Sequence, residues 1–200
     1  MKKLRFKKRT RAFFYRQADY VAKNILGDYL TLKNKKQILI GRIVETEAYP
    51  GINDDASHSF QGRLTPRNKI TYSQGGLIYV YLIYGKYWCF NIVVSKKDNP
   101  QAVFIRAIEP IQGIELMKKR RGVEKEEKLT NGPCRWTQSF SIDKSFLGKE
   151  IISKDIFISS PANKNFAIVK AKRVGVDYAT KSKDLPLRFY IKDSLFVSKK

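Results

Sequence analysis

The sequence predicts an α+β domain built around a largely antiparallel β-sheet. Its 200 residues suit one domain with a sizeable core rather than two small ones. Short runs of β-branched and aromatic residues recur from end to end, whereas helical spacing of apolar residues appears in only two places. Strands do not alternate with helices, as a parallel βαβ architecture requires.

The basic first dozen residues, MKKLRFKKRTRA, read as a flexible arm (1–12). From Phe14 to Leu26, Phe14, Ala18, Val21, Ala22 and Ile25 recur at helical spacing, and Gly27 suits a C-cap. Gln37 to Tyr49 reads as a strand, with apolar Ile38, Ile40 and Val44. Residues 50–76 are dense in Pro, Gly, Asn, Asp and Ser and form a long loop, a length usually kept for function. Strands over Leu77–Ile83 and Trp88–Val94 flank a tight turn at Tyr84-Gly85-Lys86, a β-hairpin with aromatic residues at its tip. Ala102–Ala107 is a further strand, followed after Pro110 by a short helix to Arg121 that buries Ile114 and Met117. GVEKEEK (122–128) is a charged surface loop, and short strands are expected near Ile156–Ile158, Lys170–Val174 and Leu187–Ile191.

The formal charge of +22 is far from ordinary. It points to a polyanionic partner or to a compositional bias, since Lys outnumbers Arg, and it does not separate DNA from RNA or an enzyme from a binding protein. Cys89 and Cys134 form no disulfide framework and lie in no zinc-type cluster with the single histidine, His58. The basic N-terminus lacks the apolar stretch of a signal peptide, and no apolar run could span a bilayer. A soluble cytoplasmic protein without membrane contact is expected.

The chemistry concentrates in ETEAYPGINDDASH, Glu45 to His58. On a strand, Glu45, Glu47 and Tyr49 share one face and Val44, Thr46 and Ala48 the other, with the two carboxylates about 6.5–7 Å apart. Such a face suits a site that activates water, and equally a solvated edge strand with lysine partners. Three chemistries remain open on spacing alone. Paired carboxylates could cleave a glycosidic bond. Glu45, Glu47, Asp54, Asp55 and His58 could hold a divalent metal in a metal-dependent nuclease. A single carboxylate could direct water at an N-glycosidic bond. A non-catalytic, basic nucleic-acid-binding protein is the alternative outside enzymology.

GRIVETEAYPGINDDASHS, GRLTPRN, LIYVYLIYGKYWCFN and FIRAIEP follow one another across residues 41–110, and together they resemble the motifs of the alkyladenine (3-methyladenine) DNA glycosylase family of the mammalian type. YVAKNILGDYL, NGPCRW, AKRVGV and LPLRFY extend the match over most of the chain. The resemblance implies a monofunctional enzyme of base-excision repair. It flips damaged purines out of double-stranded DNA and hydrolyses the N-glycosidic bond, with no metal or other cofactor. It also implies a single mixed domain, with a curved sheet and a protruding hairpin. A monomer is expected, because one chain carries every element.

By the same resemblance, Glu47 is the general base, with Arg106 and the main-chain carbonyl of Val174 holding its water. Tyr49 and His58 would form one wall of the base pocket and Tyr81 the other. Asn91 would crowd the 2-amino group of guanine, and Tyr84 would intercalate into the emptied stack. Arg63 and Arg67 would contact the DNA backbone, with Lys86 beside the wedge. Lys86 and Tyr87 depart from the family pattern at the tip, and Cys134-Arg135-Trp136 departs from it in the NGPCRW segment, which puts the groove there in doubt.

Overall fold

The computed structural model describes residues 6–34 and 37–199, and the fold is α+β as expected. Nine strands, β1 (Phe6–Lys8), β2 (Tyr29–Asn34), β3 (Gln37–Tyr49), β4 (Ile78–Ile83), β5 (Tyr87–Val94), β6 (Gln101–Gln112), β7 (Ile156–Pro161), β8 (Ile168–Ala171) and β9 (Arg188–Ile191), form one sheet. Its order is β1-β7-β2-β3-β6-β5-β4, every pairing is antiparallel, and β9 joins β3 on one side and β8 on the other. Four helices, α1 (Arg11–Phe14), α2 (Ala18–Asn24), α3 (Ile114–Arg121) and α4 (Pro133–Ser139), complete the described fold.

The two longest strands, β3 and β6, are the spine, and their shared interior face carries Ile43, Val44, Ala48, Val103, Ile105 and Ile108. Helix α2 covers that face with Val21 and Ala22, joined by Ile25 at its C-cap, and the Thr46 hydroxyl donates to the Ala22 carbonyl at 2.8 Å. β3 changes partner along its length. Residues 37–42 pair with β2, whereas Glu45–Glu47 pair with Arg188–Tyr190 of β9. At the changeover the β3–β6 register slips twice, so that Val44 on one strand and Arg106 on the other have no opposite residue. Paired bulges of this kind sharpen local twist and re-aim side chains, and they are over-represented beside active sites. Here they bring Arg106 to the face of Glu45 and Glu47.

Several expectations need correction. Residues 6–12 are not a free arm: Phe6–Lys8 pairs with β7, and Arg9 donates to Asp28 at 2.7 Å. The remainder of the expected arm, residues 1–5, lies outside the described residues. The helix expected from Phe14 to Leu26 is confined to α2, and residues 15–17 separate it from α1, which ends at Phe14. β6 continues through Pro110 to Gln112, because Pro110 faces Gly41 in a ladder position where its missing N–H is tolerated beside an irregularity. The NGPCRW segment leads into a helix. It opens α4, with Pro133 at the helix start, Trp136 fully buried and its indole N–H bonded to the Ile105 carbonyl at 2.9 Å. Strands β1 and β2 were not expected. Among the described residues no helix is long and apolar enough to cross a membrane.

Candidate active site

Glu47 lies on the inward-facing edge of β3 with no exposed surface, yet both of its oxygens have polar partners. Oε1 accepts the Val174 amide N–H at 2.7 Å and faces Arg106 Nη1 at 3.2 Å, and Oε2 accepts the Tyr49 hydroxyl at 3.0 Å. Burial raises its pKa above the ordinary carboxylate value, and Arg106, the Val174 N–H and Tyr49 only partly reverse this. Arg106 stays charged, because Glu47 and Glu45 outweigh the burial that opposes its ionisation. The Val174 contact runs through the amide N–H, where the resemblance implies a role for the carbonyl.

Glu45, two residues away, is not a second free carboxylate. Its Oε1 accepts Arg106 Nε at 3.1 Å and Arg188 Nη1 at 3.0 Å, and its Oε2 accepts the Ser198 amide N–H at 2.7 Å. Asp54 and Asp55 are equally occupied. Asp54 receives a two-pronged contact from Arg173 at 2.6 and 2.8 Å, and Asp55 caps the main-chain N–H groups of Thr180, Lys181 and Ser182. Burial resists the ionisation of Asp54, but bonds from Arg173 and Ser182 lower its pKa overall, and main-chain and hydroxyl donors lower that of Asp55. These acids fasten the 50–76 loop to the 172–182 segment. Among the described residues no group of three or more His, Cys, Asp or Glu side chains is placed to hold a metal ion.

Tyr49, Arg106 and Val174 line a cavity of about 270 Å³ together with His58, Tyr79, Tyr81, Cys89 and Asn91, and Glu47 sits behind that lining. The walls divide differently from the expected arrangement. His58 stands edge-on to Tyr81, with ring centroids 4.9 Å apart, and its Nδ1 lies 2.9 Å from the Tyr79 hydroxyl, so it belongs with Tyr79 and Tyr81 rather than with Tyr49. Although its ring opens onto the cavity, the surrounding protein and the charges of Arg67 and Arg63 lower the His58 pKa to about 4. Burial pushes Tyr79 and Cys89 up to about 12. Asn91, buried on β5, donates to the Tyr79 carbonyl at 3.2 Å and lines the same space.

The sequence model of the methylpurine-DNA glycosylase family matches residues 12–195. The chain belongs to that family. As a member it is a DNA glycosylase, a hydrolase of N-glycosyl bonds. Curated relatives named "Putative 3-methyladenine DNA glycosylase" include those of Natranaerobius thermophilus, 46% identical over 93% of this chain and 96% of its own length, and Clostridium novyi, 45% identical over 97% and 100%. A third, from Borrelia garinii subsp. bavariensis, is 43% identical over 95% and 99%.

The hairpin of this glycosylase carries Tyr84 at its tip, 89% exposed. Tyr84 and Gly85 both have positive φ (51° and 63°), and Lys86 N–H closes a turn on the Ile83 carbonyl inside the three-residue loop that joins the paired Ile83 and Tyr87. A bulky residue held left-handed costs about 1 kcal/mol, so the tip spends stability to present an aromatic ring. Lys86 is exposed beside it. Arg63 is exposed, whereas the Arg67 guanidinium lies 4.5 Å from the Tyr81 ring centroid, beside the cavity's aromatic side. Arg173 likewise lies 4.7 Å from the Tyr49 ring. The sequence reading missed Tyr79, Arg173, Arg188 and Ser198. Alternation along the strand could have found the first, since Tyr79 shares a face with Tyr81. Nothing local marks the other three, whose partners lie more than a hundred residues away.

Proposed function

We propose that this glycosylase removes 3-methyladenine and related alkylated purines from double-stranded DNA in base-excision repair, using water activated by Glu47. The observation that carries the reading is a buried carboxylate of raised pKa directly behind an aromatic cavity, bonded to Arg106, Val174 and Tyr49, which line it. A base poised nearer neutrality is a better proton acceptor. The damaged nucleotide rotates out of the duplex into the slot, a cost of a few kcal/mol that is smaller where damage already weakens pairing. Its purine lies between Tyr49 and the Tyr81–His58 wall, with Asn91 limiting what fits at the edge. Water lodged against Arg106 and Val174 gives its proton to Glu47 and its oxygen to C1′. The C1′–N bond breaks as the purine departs with the bonding electrons. N3-alkylation makes the purine cationic, so it leaves as a neutral base without a strong general acid. The ionised neighbourhood also stabilises the oxocarbenium-like sugar.

Tyr84 fills the emptied stack, and Arg63, Arg67 and Lys86 supply salt-dependent contacts to the backbone. A test of the wedge uses Tyr84→Asn, which places a residue suited to positive φ in the turn. Thermal denaturation should show a gain of about 1 kcal/mol. Base release under limiting enzyme should fall about 10- to 100-fold, since stacking is worth about 1–3 kcal/mol. An unchanged rate would remove Tyr84 from the mechanism.

The overall reading is tested with methylated duplex DNA in the presence of EDTA. Free 3-methyladenine should appear, and the strands should stay intact until alkali cleaves the abasic sites. Strand breakage without alkali, or activity that EDTA abolishes and Mg²⁺ restores, would replace this reading with a nuclease.

A further inference from the structure

The Arg106 guanidinium is held at three points. Nε bonds Glu45, Nη1 faces Glu47, and Nη2 donates to the Ser198 hydroxyl at 3.2 Å. The third point belongs to the irregular segment 192–199, which follows β9 and reaches Glu45 and Arg106 through Ser198. That segment is anchored by Val197, which is buried, and by the Lys199 carbonyl, which accepts Arg188 Nη1 at 2.6 Å. Ser198 itself grips both members of the buried pair, its N–H on Glu45 Oε2 at 2.7 Å and its hydroxyl on Arg106. It lies beyond residue 195, where the family match ends.

We infer that Ser198 is a positioning residue for catalysis: by holding Glu45 and Arg106 together from behind, it keeps Arg106 Nη1 on Glu47. The inference rests on the reading of Glu47 as the water-activating group. With Ser198 gone, Glu45 Oε2 loses a donor and Arg106 Nη2 an acceptor, both in a buried setting where unmet hydrogen bonds are costly. The guanidinium then relieves the deficit by turning both of its adjacent N–H groups onto Glu45, a two-pronged geometry arginine favours. That motion takes it off Glu47. Displacements of about 1 Å in a catalytic group can cost about 10²-fold in rate.

The experiment compares the full chain with a variant lacking residues 198–200, with Ser198→Pro, which removes the N–H and the hydroxyl, and with Ser198→Thr, which keeps the N–H donor and the hydroxyl acceptor. Three quantities are read: the single-turnover rate of 3-methyladenine release, the affinity for duplex DNA carrying a pyrrolidine abasic analogue, and the acid limb of the pH–rate profile. Deletion and Ser198→Pro should slow release by about tenfold to a hundredfold, with affinity within about twofold of the parent, a margin of roughly 0.4 kcal/mol. Ser198→Thr should restore the parent rate. The acid limb should move to higher pH in the slow variants. Glu47 is faced by Glu45 and Tyr49 on its own strand, Arg106 on β6 and, at longer range, Arg173 and Tyr178, and losing the Arg106 contact removes the largest influence that lowers its pKa.

A parent-like rate and limb after deletion would overturn the inference, and so would a slowed rate matched by an equal loss of affinity or of cooperative unfolding. If Glu47→Gln were as active as the parent, the proposed mechanism itself would fail. A dead Glu47→Gln beside a fully active deletion variant would sink only the role of Ser198.

Discussion

Glu47→Gln should lower single-turnover release of 3-methyladenine by about 10²- to 10⁴-fold, the range a positioned general base supplies, and should at the same time make the protein more stable at neutral pH. The glutamine can keep most of the local bonds. Its carbonyl can accept from Val174 and Arg106, and its amide can donate to the Tyr49 oxygen, whose hydrogen is free to turn away. What it removes is a buried negative charge. Because the folded-state pKa of Glu47 is raised, ionisation of this group works against folding. The group's favourable contribution is fully present below its unfolded pKa and is lost as pH rises through the folded value. The mutant's advantage in thermal denaturation should therefore be absent in acid and grow toward neutral pH. Release near the parent rate would remove Glu47 from the chemistry, and a mutant less stable than the parent at neutral pH would contradict the placement of that charge.

The second large effect concerns the cation shared by the two glutamates. Arg106→Ala should destabilise the fold by about 3–5 kcal/mol, the cost of stripping a buried charge pair of one partner, because it leaves two neighbouring buried carboxylates without their common counter-ion. Glu45 keeps Arg188 and the Ser198 N–H, whereas Glu47 keeps only uncharged donors among its described partners. The residual activity should consequently show its acid limb at higher pH than the parent. Denaturant melts at several pH values, run beside rate profiles, separate the two consequences. A loss below about 1 kcal/mol, the range of exposed ion pairs, would mean that Arg106 is far better solvated than its surroundings suggest.

Much of this site was legible in the sequence, for identifiable reasons. Period-two alternation put Glu45, Glu47 and Tyr49 on one face of β3, and the turn at Tyr84-Gly85 was readable from flanking apolar strands. The β3 boundaries agree with expectation, since the segment is long and strongly patterned. The failures share a cause. β1, the tail around Ser198 and the Arg173 clasp are held by partners far along the chain, and no window of neighbouring residues encodes such a contact. The division of the slot walls was misjudged in the same way. His58 sits in an irregular loop whose course is set by Asn68, which donates to the carbonyls of His58 and Arg63. Pro110 misled in the other direction, as a strand end that β6 ignores.

The cavity's own titrations sit at the extremes, with His58 near 4 and Tyr79 and Cys89 near 12. Between those limits these three groups of the lining keep a constant protonation state, so on the proposed reading their contacts with a purine do not change with acidity. Glu47, whose pKa is raised from the ordinary carboxylate value, is where a fall in pH is expected to register, in the rate of bond cleavage.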